Sequence, residues 1–529
     1  MCDSGQVFTH SFLEDPLEAV SRRVKPWRWG LAGAILVIYL FSISRFWWIG
    51  PDSGLYLNLA RQLAEGHGYA LAGIPHVFVP PGFPLLLAGL MKLGAGAGIM
   101  NAVLCLLGLA TIFVVYQALR QMVHANWAMI LTACCALLNE TVQRSGELLS
   151  DMPFMLIVWV ALWLYLRGLR GQKPDRRGWE IASLLLPASC AFRVAGIPLV
   201  VGIAIGLLLS APKGVRLRAA INAAIVLAGL AVGAAAAISY VHANATPGAA
   251  TYAQPMANIT TGYLSKEKII ELLQHLGFAV GQLSRLLIAQ RLPLILCLVV
   301  WVTPIIIGMV RSVRTVRILA SVAIVCYVGG LCIATAAPRT RYLLPILPLL
   351  LMLWCDGLGW ILLRIKAFRN REAFDGAILI SLAILVLFNL PVVGRMIYER
   401  HRRDAFSLQQ KGRWKDDIAV AGFLSATPSA GYVYAAQPIA WLANVESPMV
   451  AASLQQASPQ PEELRKLFTH WRLAYAVIDS REPTPLSQAM EAMLSRYKPV
   501  FAAGTLKVYA VHPDGAGSPM PCSATTDSR

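Results

Sequence analysis

Three carboxylates lie where long apolar blocks of this sequence begin or end. They are Asp52, Glu147 and Asp151. A carboxylate at a water–lipid boundary is partly desolvated, and it can act as a general base on a hydroxyl group. An unpaired charge at such a place is also costly, so each carboxylate requires either a partner or a function. These three residues are therefore the first candidates for chemistry.

Asp52 opens an amphipathic stretch in which Leu55, Leu59 and Leu63 fall on one face. This pattern predicts a helix on the membrane surface, with Asp52 and Ser53 as its capping residues. Two interpretations of Asp52 remain open. It is only a cap, or it is a general base held at the start of a rigid helix.

Glu147 and Asp151 are four residues apart, which predicts that they share one helix face. They are helix-start carboxylates favoured by the macrodipole, or an acidic wall shared with Asp52, or a divalent-metal site. No His or Cys accompanies them, so a metal here would be a hard cation with oxygen ligands. No other cofactor is indicated.

Three arginines lie at ends of apolar blocks where the positive-inside rule predicts no basic residue. They are Arg193 in CAFRVAGIP, and Arg339 and Arg341 in APRTRYLLPILP. A phosphate group would explain them, because a guanidinium donates two parallel hydrogen bonds to it. Pairing with a nearby carboxylate, or snorkelling to the interface, is the alternative.

The composition indicates which kind of structural element positions these side chains. Of 529 residues, 57% are hydrophobic and 14% are charged, against about 25% charged in soluble domains, which excludes a soluble globular or a disordered chain. Eleven apolar blocks predict membrane spans. They lie near 29–48, 97–120, 126–140, 150–167, 178–191, 194–210, 218–240, 291–310, 316–336, 342–363 and 374–393. A shorter block at 82–95 predicts an interfacial or partly inserted helix.

Lys and Arg exceed Asp and Glu by 18, and the excess is concentrated in alternate loops. These loops are 167–178, 213–218, 311–317 and 364–371. Basic loops stay cytoplasmic, so the N-terminus is predicted inside, and the loops 49–96 and 241–290 and the C-terminal part outside. The topology accounts for the charge, so we expect membrane lipids as partners and no nucleic acid.

The expected fold class is a mainly α-helical polytopic membrane protein with a small C-terminal α/β domain. We expect a cytoplasmic segment at 1–27, a transmembrane domain at 28–397, an outer-face α/β domain at 412–515 and a disordered tail at 516–529. Short alternating runs such as LAYAVIDS and LKVYAVH predict the strands of the outer domain.

An acidic residue directly after the first span, a surface helix, and then PPGFP (80–84) together resemble lipid-linked sugar transferases of the GT-C superfamily. The resemblance is closest to the glycosyltransferase family 39 type, which includes protein mannosyltransferases and the lipid A aminoarabinose transferase. SGELLSDMPF and RYLLPILP resemble that family's second acidic loop and late Arg-Tyr segment. The resemblance covers roughly residues 28–395 and the outer domain.

The resemblance implies an inverting glycosyltransferase with a polyprenyl-phosphate-linked sugar donor and a lipid, glycan or protein acceptor. Asp52 would be the general base, and the three arginines would bind the donor phosphate. Many relatives have Asp-Glu where this chain has Asp-Ser, which leaves Asp52 as the one candidate base in the first loop. Tyr56, Tyr69, Pro81 and Tyr342 are expected to line the substrate site.

The expected location is the plasma (inner) membrane, with the C-terminal domain on the periplasmic side. A polytopic transporter or flippase of a lipid-linked or small-molecule substrate is the alternative. It predicts charges in mid-span or repeated broken helices. The sequence has no internal repeat, and its acidic candidates lie at span ends.

The basic loops give the first testable prediction. Reporter fusions at residues 175 and 450 should report opposite sides of the membrane, because a basic loop resists translocation. Reporters of cytoplasmic and periplasmic location at both positions provide the measurement. The same side for both fusions would contradict the topology.

Overall fold

The structure is a computed structural model, and it describes most of the chain between residues 27 and 511. The described ranges are 27–170, 175–244, 266–313, 315–333, 339–368, 370–401, 414–427, 431–448, 459–470, 472–481 and 483–511. The predicted N-terminal segment, apart from its last residue, and the predicted C-terminal tail lie outside these ranges.

Helices form nearly all of the described chain up to residue 401. In order they are α1 (Trp27–Ser42), α2 (Pro51–Glu65), α3 (Gly82–Lys92), α4 (Ala97–Leu119), α5 (Ala125–Leu137), α6 (Asn139–Ser145), α7 (Asp151–Arg170), α8 (Arg176–Ser189), α9 (Ile197–Ser210), α10 (Arg216–Asn244), α11 (Lys266–Ile288), α12 (Leu294–Ser312), α13 (Ile318–Ile333), α14 (Leu347–Leu362) and α15 (Arg371–His401). Strands β1 (Ala70–Leu71) and β2 (Ile74–Pro75) form a small hairpin after α2.

The predicted apolar blocks all coincide with helices, which confirms the fold class. Among the described residues, six helical segments are long and apolar enough to cross a membrane. They are Ala97–Leu119, Asp151–Leu169, Lys213–Asn244, Leu294–Ser312, Thr340–Leu362 and Ala373–His401. The block at 82–95 forms the short helix α3, and its placement relative to the membrane stays a prediction. The chain is therefore a multi-pass membrane protein.

One segment, Thr340–Leu362, lies at the centre of the bundle. In its most apolar stretch 83% of the residues are buried, against 17% in the segment that contains α10. It begins as a 3₁₀ turn (Thr340–Ile346) and continues as α14. Pro345 lacks a backbone N–H and so disfavours a regular α-helix there, and its carbonyl accepts a hydrogen bond of 3.1 Å from Trp159 Nε1. The turn is thereby fixed against α7.

Two glycines allow α12 and α14 to pack in backbone contact. A Cβ on Gly357 would lie 1.8 Å from the carbonyl oxygen of Pro304, and a Cβ on Gly308 would lie 2.1 Å from that of Leu353. Small residues permit such close approach between membrane helices. The helix that continues from the 3₁₀ turn is therefore rigidly placed.

The long helix α11 was not predicted, because the segment 241–290 was expected to be only an outer loop. It is amphipathic, and in the chain it lies between α10 and α12. Gln282 on α11 accepts a hydrogen bond of 2.7 Å from Thr340 Oγ1, and His275 Nδ1 lies 2.9 Å from the carbonyl oxygen of Cys332. The helix therefore supports the 3₁₀ turn from one side.

The C-terminal part contains a four-stranded sheet, as predicted. Its elements are α16 (Lys415–Ala426), β3 (Tyr432–Tyr434), α17 (Gln437–Ala443), α18 (Pro461–His470), β4 (Leu473–Asp479), α19 (Pro485–Leu494), β5 (Phe501–Ala503) and β6 (Leu506–Ala510). The strand order is β3-β4-β6-β5, with β3 parallel to β4 and the other pairs antiparallel. Helices α16 and α17 share one apolar cluster with the sheet, and α18 and α19 share another.

Candidate functional site

The first candidate residue lies in the first turn of α2, but it does not cap that helix. The N-cap is Gly50, which makes no side-chain capping hydrogen bond, and Pro51 takes the first helical position. Ser53 Oγ accepts a hydrogen bond from Trp47 Nε1 (3.0 Å) and donates one to the carbonyl oxygen of Gly50 (3.0 Å). The capping prediction for Asp52 and Ser53 is therefore wrong. Asp52 is left with its carboxylate 43% exposed.

Asp52 instead forms an ion pair with Arg341. Its Oδ2 lies 2.6 Å from Arg341 Nη2, and the Arg341 side chain is 16% exposed. Arg341 is held by the 3₁₀ turn at the centre of the bundle. A carboxylate in the first turn of a helix also gains from the helix dipole. Two residues that are distant in the sequence are thus joined at one place.

A second ion pair lies deeper. Arg193, between α8 and α9, binds Asp151, the first residue of α7, and the two side chains are 9% and 3% exposed. Charges this buried are tolerated only when they are paired. This pairing is one of the alternatives that the sequence left open for Arg193.

Glu147 does not share a helix face with Asp151, so that prediction is wrong. It lies in a bend (147–150) before α7 begins, pairs with Arg144, and accepts a hydrogen bond of 2.7 Å from Gln143 Nε2. Arg144 also pairs with Glu140 at 3.1 Å. The two candidate metal ligands therefore bind different arginines. The described ranges contain no group of three His, Cys, Asp or Glu side chains suited to a metal.

Tyr342 connects the two ion pairs. Its ring centroid lies 4.7 Å from the guanidinium carbon of Arg193 and 5.4 Å from that of Arg341, both within cation–π range. The aromatic ring thus fixes the distance between two positive charges. We refer to these five residues as the charged cluster: Asp52, Arg341, Tyr342, Arg193 and Asp151.

The charged cluster retains hydrogen-bonding capacity that the protein does not use. Arg341 Nε, Arg193 Nε and Asp151 Oδ2 are buried, and none has a hydrogen-bond partner among the residues that the structure describes. Buried polar atoms in native proteins are nearly always partnered by protein, water or ligand. The site therefore suits a small polar or anionic group.

Tyr56 lies one helical turn after Asp52 and faces the same region. Its hydroxyl is 3.4 Å from Ser150 Oγ, next to Asp151, and its ring meets Phe83 edge-on at 5.0 Å. Burial raises the pKa of Tyr56, so its phenol is neutral over the physiological range. The structure thus brings Tyr56 beside the charged cluster.

Tyr69 and His76 hold the loop that follows α2. Tyr69 donates a hydrogen bond of 2.8 Å to the carbonyl oxygen of Val79, and His76 Nε2 accepts one of 3.0 Å from the Val79 N–H. Burial lowers the pKa of His76 to about 3, which keeps the ring neutral and able to accept this bond. Tyr69 was predicted to line the substrate site. The contacts seen show that it stabilises the loop that follows α2.

Gly82 connects the loop after α2 to the segment that carries Arg193. Its N–H donates to the carbonyl oxygen of Ala191 at 2.8 Å, and a Cβ on Gly82 would lie 2.6 Å from the same oxygen. Glycine is required at this position because a side chain would collide with the Ala191 carbonyl. Pro81 stands at the N-cap position of α3, where the loop ends.

Two further residues lie outside the charged cluster as defined. The sequence predicted a role for Arg339 and none for Tyr327. Arg339, predicted to bind phosphate, is exposed and forms no ion pair with the described residues. Tyr327 on α13 was missed; it is fully buried and lies close to Arg193 and Asp151. A tyrosine inside an apolar block gives no sequence signal that separates it from the core.

The C-terminal sheet domain docks on α2. Asn58 Nδ2 donates to the backbone oxygen (3.0 Å) and the side-chain oxygen (2.8 Å) of Gln437, at the start of α17. The guanidinium of Arg61 stacks on the ring of Trp441 at 4.6 Å. A Cβ on Gly54 would lie 2.8 Å from the backbone nitrogen of Pro438. The helix that begins next to Asp52 is therefore fixed from the C-terminal side.

The structure resembles two solved membrane proteins. ArnT from Cupriavidus metallidurans matches in the apo state with a TM-score of 0.55 and 14% identity, over 94% of this chain and 100% of that chain. ArnT bound to undecaprenyl phosphate matches with a TM-score of 0.54 and 13% identity, over 93% and 99%. The archaeal oligosaccharyltransferase AglB from Archaeoglobus fulgidus, in complex with an inhibitory peptide and a dolichol-phosphate, matches with 0.53 and 12%, over 88% and 71%.

A sequence-family model supports the same resemblance. The model described as dolichyl-phosphate-mannose-protein mannosyltransferase matches residues 79–240. No curated protein sequence matches the chain significantly. The resemblance to the GT-C superfamily that the motifs predicted is thus confirmed at the level of the fold.

The docking of the C-terminal domain gives a testable prediction. Gly54→Ala should push α17 away from α2, because its Cβ would meet backbone atoms that no side-chain rotation can relieve. The local free energy of opening should fall by about 1–3 kcal/mol, the usual cost of overpacking. Hydrogen exchange of the backbone amides in 437–443 should therefore be faster.

Gly89→Ala is the matched control, because this position on α3 has open space around it. It makes the same change of residue in a helix and should leave exchange in 437–443 unchanged. Equal exchange rates in the two variants would contradict the close contact between α2 and α17.

Proposed function

We propose that this protein is an integral membrane glycosyltransferase. It moves a sugar from a polyprenyl-phosphate donor to a hydroxyl of a lipid, glycan or protein acceptor. Transfer takes place at the outer face of the plasma (inner) membrane and inverts the anomeric centre. Asp52 is the general base, and Arg341 is the main ligand of the donor phosphate.

The observation that carries the proposal is the charged cluster. Four separate chain segments bring a half-exposed carboxylate and two guanidinium groups together at the ends of apolar helices. The reaction needs this combination, because it removes a proton and creates a phosphate leaving group. A protein that only assembles or anchors others has no need to bring these charges together.

The comparisons support the choice of donor. Two similar structures contain an undecaprenyl phosphate and a dolichol-phosphate, and the matching family model describes enzymes that use dolichyl-phosphate-mannose. Identities of 12–14% convey only the fold, so the donor class is our inference for this chain. A bundle of apolar helices offers such a lipid tail a favourable environment.

The chemical step follows from the positions of the side chains. Asp52 takes the proton of the acceptor hydroxyl, whose oxygen attacks the anomeric carbon of the donor. The bond between that carbon and the phosphate oxygen breaks, and its electron pair stays on the phosphate. Arg341 stabilises the charge that develops there, with Arg193 across the Tyr342 ring and the exposed Arg339 nearby. Tyr56 lines the acceptor side, and Asp151 keeps Arg193 in place.

Replacement of Asp52 tests the base. A strain that lacks the gene should accumulate the polyprenyl-phosphate sugar, and the Asp52→Asn protein should not restore its consumption. The amide is nearly isosteric but not basic, so the rate of transfer in vitro should fall about 10²–10⁴-fold. Lipid analysis by mass spectrometry and a transfer assay provide the measurements.

The structural alternative is that Asp52 serves only its ion pair. A partly exposed pair contributes at most about 1 kcal/mol, so Asp52→Asn would then change thermal stability slightly and leave the transfer rate nearly normal. Glu65→Gln, at the other end of α2, is the control for the lost charge. Transfer by Asp52→Asn at the rate of this control would remove Asp52 from the mechanism.

Replacement of Arg341 tests the phosphate site. Arg341→Ala should weaken the binding of undecaprenyl phosphate about 10- to 100-fold, since charge-assisted hydrogen bonds contribute roughly 1.5–3 kcal/mol. Arg341→Lys should restore only part of the affinity, because the fork geometry is lost. Arg364→Ala, just beyond the other end of the same helical segment, is the control. Unchanged affinity in Arg341→Ala would assign this residue to structure alone.

A further inference from the structure

Arg341 has two anionic partners if the proposed function holds. In the structure it binds Asp52 at 2.6 Å, and in the reaction it binds the donor phosphate. Asp52 likewise has two states, because a carboxylate that contacts a guanidinium is not free to contact the acceptor hydroxyl. The same contact therefore governs both the base and the phosphate site.

The two ion pairs of the charged cluster differ in how readily they separate. Asp151 is 3% exposed and its arginine 9%, so parting them would leave a buried charge unpaired at high cost. Asp52 is 43% exposed, so water can solvate its carboxylate when the arginine leaves. The Asp151–Arg193 pair is thus permanent, and the Asp52–Arg341 pair can be exchanged.

The geometry of Arg341 favours exchange toward a phosphate. Its guanidinium lies near the ring of Tyr342, and its buried Nε has no hydrogen-bond partner among the described residues. The closest contact of Asp52 is with one guanidinium nitrogen, Nη2, at 2.6 Å. A phosphate can accept from Nε and Nη2 together, which is the stronger bidentate arrangement. It would take the nitrogen that Asp52 occupies.

We propose that the phosphate of the donor displaces Asp52 from Arg341, so that the base is released only when the leaving group is in place. This inference rests on the proposed function and adds an order to it: donor binding comes before activation of the acceptor. In the absence of donor, the ion pair keeps the carboxylate occupied. Asp52 is then not free to act as the base.

A binding measurement on the full-length protein in detergent tests the displacement, with undecaprenyl phosphate as the probe. Asp52→Asn should bind it about two- to fivefold more tightly than the unaltered protein, because the competing carboxylate is gone. Glu65→Gln is the matched control, since it removes one exposed negative charge from the other end of the same helix. Its affinity should be unchanged.

A second measurement follows Asp52 directly. Carbodiimide-promoted labelling of carboxylates in the unaltered protein, read by mass spectrometry, should increase at Asp52 when undecaprenyl phosphate is added and stay constant at Glu65. The proposal requires both results. Unchanged or weaker binding by Asp52→Asn, or labelling of Asp52 that does not rise, overturns the displacement while the glycosyltransferase proposal stands. Failure of the unaltered protein and of Asp52→Asn to bind undecaprenyl phosphate overturns both.

Discussion

A charge at the edge of an apolar bundle must be paired, and that constraint organises this molecule. Arg193 and Asp151 are almost fully buried, so each fixes the other, and with them the start of α7 and the link between α8 and α9. Tyr342 then sets Arg341 beside this pair, and Arg341 sets Asp52. The order of the contacts runs from the most buried to the most exposed. The carboxylate that we propose as the general base is therefore the least enclosed member of the charged cluster.

Tightly packed helices and turns surround the charged cluster. Trp159 holds the 3₁₀ turn on one side, and Gln282 holds it on another through a hydrogen bond from Thr340. The helix α14 that follows the turn packs against α12 in backbone contact. A hydrogen bond from Gly82 joins the loop after α2 to the segment that leads to Arg193. Catalytic groups need such support, because small displacements of a reacting group reduce rates strongly. The scaffold is thus stiff where it places the arginines.

Much of the fold could be predicted from the sequence, since hydropathy reports on lipid directly and each apolar block became a helix. The strands of the C-terminal sheet could be predicted because alternating residues mark a half-buried strand. The candidate residues were found because charges at span ends are exceptional. Their partners were not found, since Asp52 with Arg341 is a contact between distant segments that no local pattern encodes. The capping prediction was wrong because Pro51 already begins the helix, and Glu147 was misplaced because the chain bends before Asp151.

The contact of α2 with α17 has a consequence for how the protein is made. Chains emerge from the ribosome N-terminus first, so α2 is synthesised about 370 residues before Gln437, its partner at the start of α17. Until residue 441 has been translated, Asn58 and Arg61 lack their partners Gln437 and Trp441, which fix the helix. The helices that precede residue 401 are therefore synthesised before the segment that holds α2 in place. A ribosome that stops before residue 437 leaves α2, which carries Asp52, without its contact to α17.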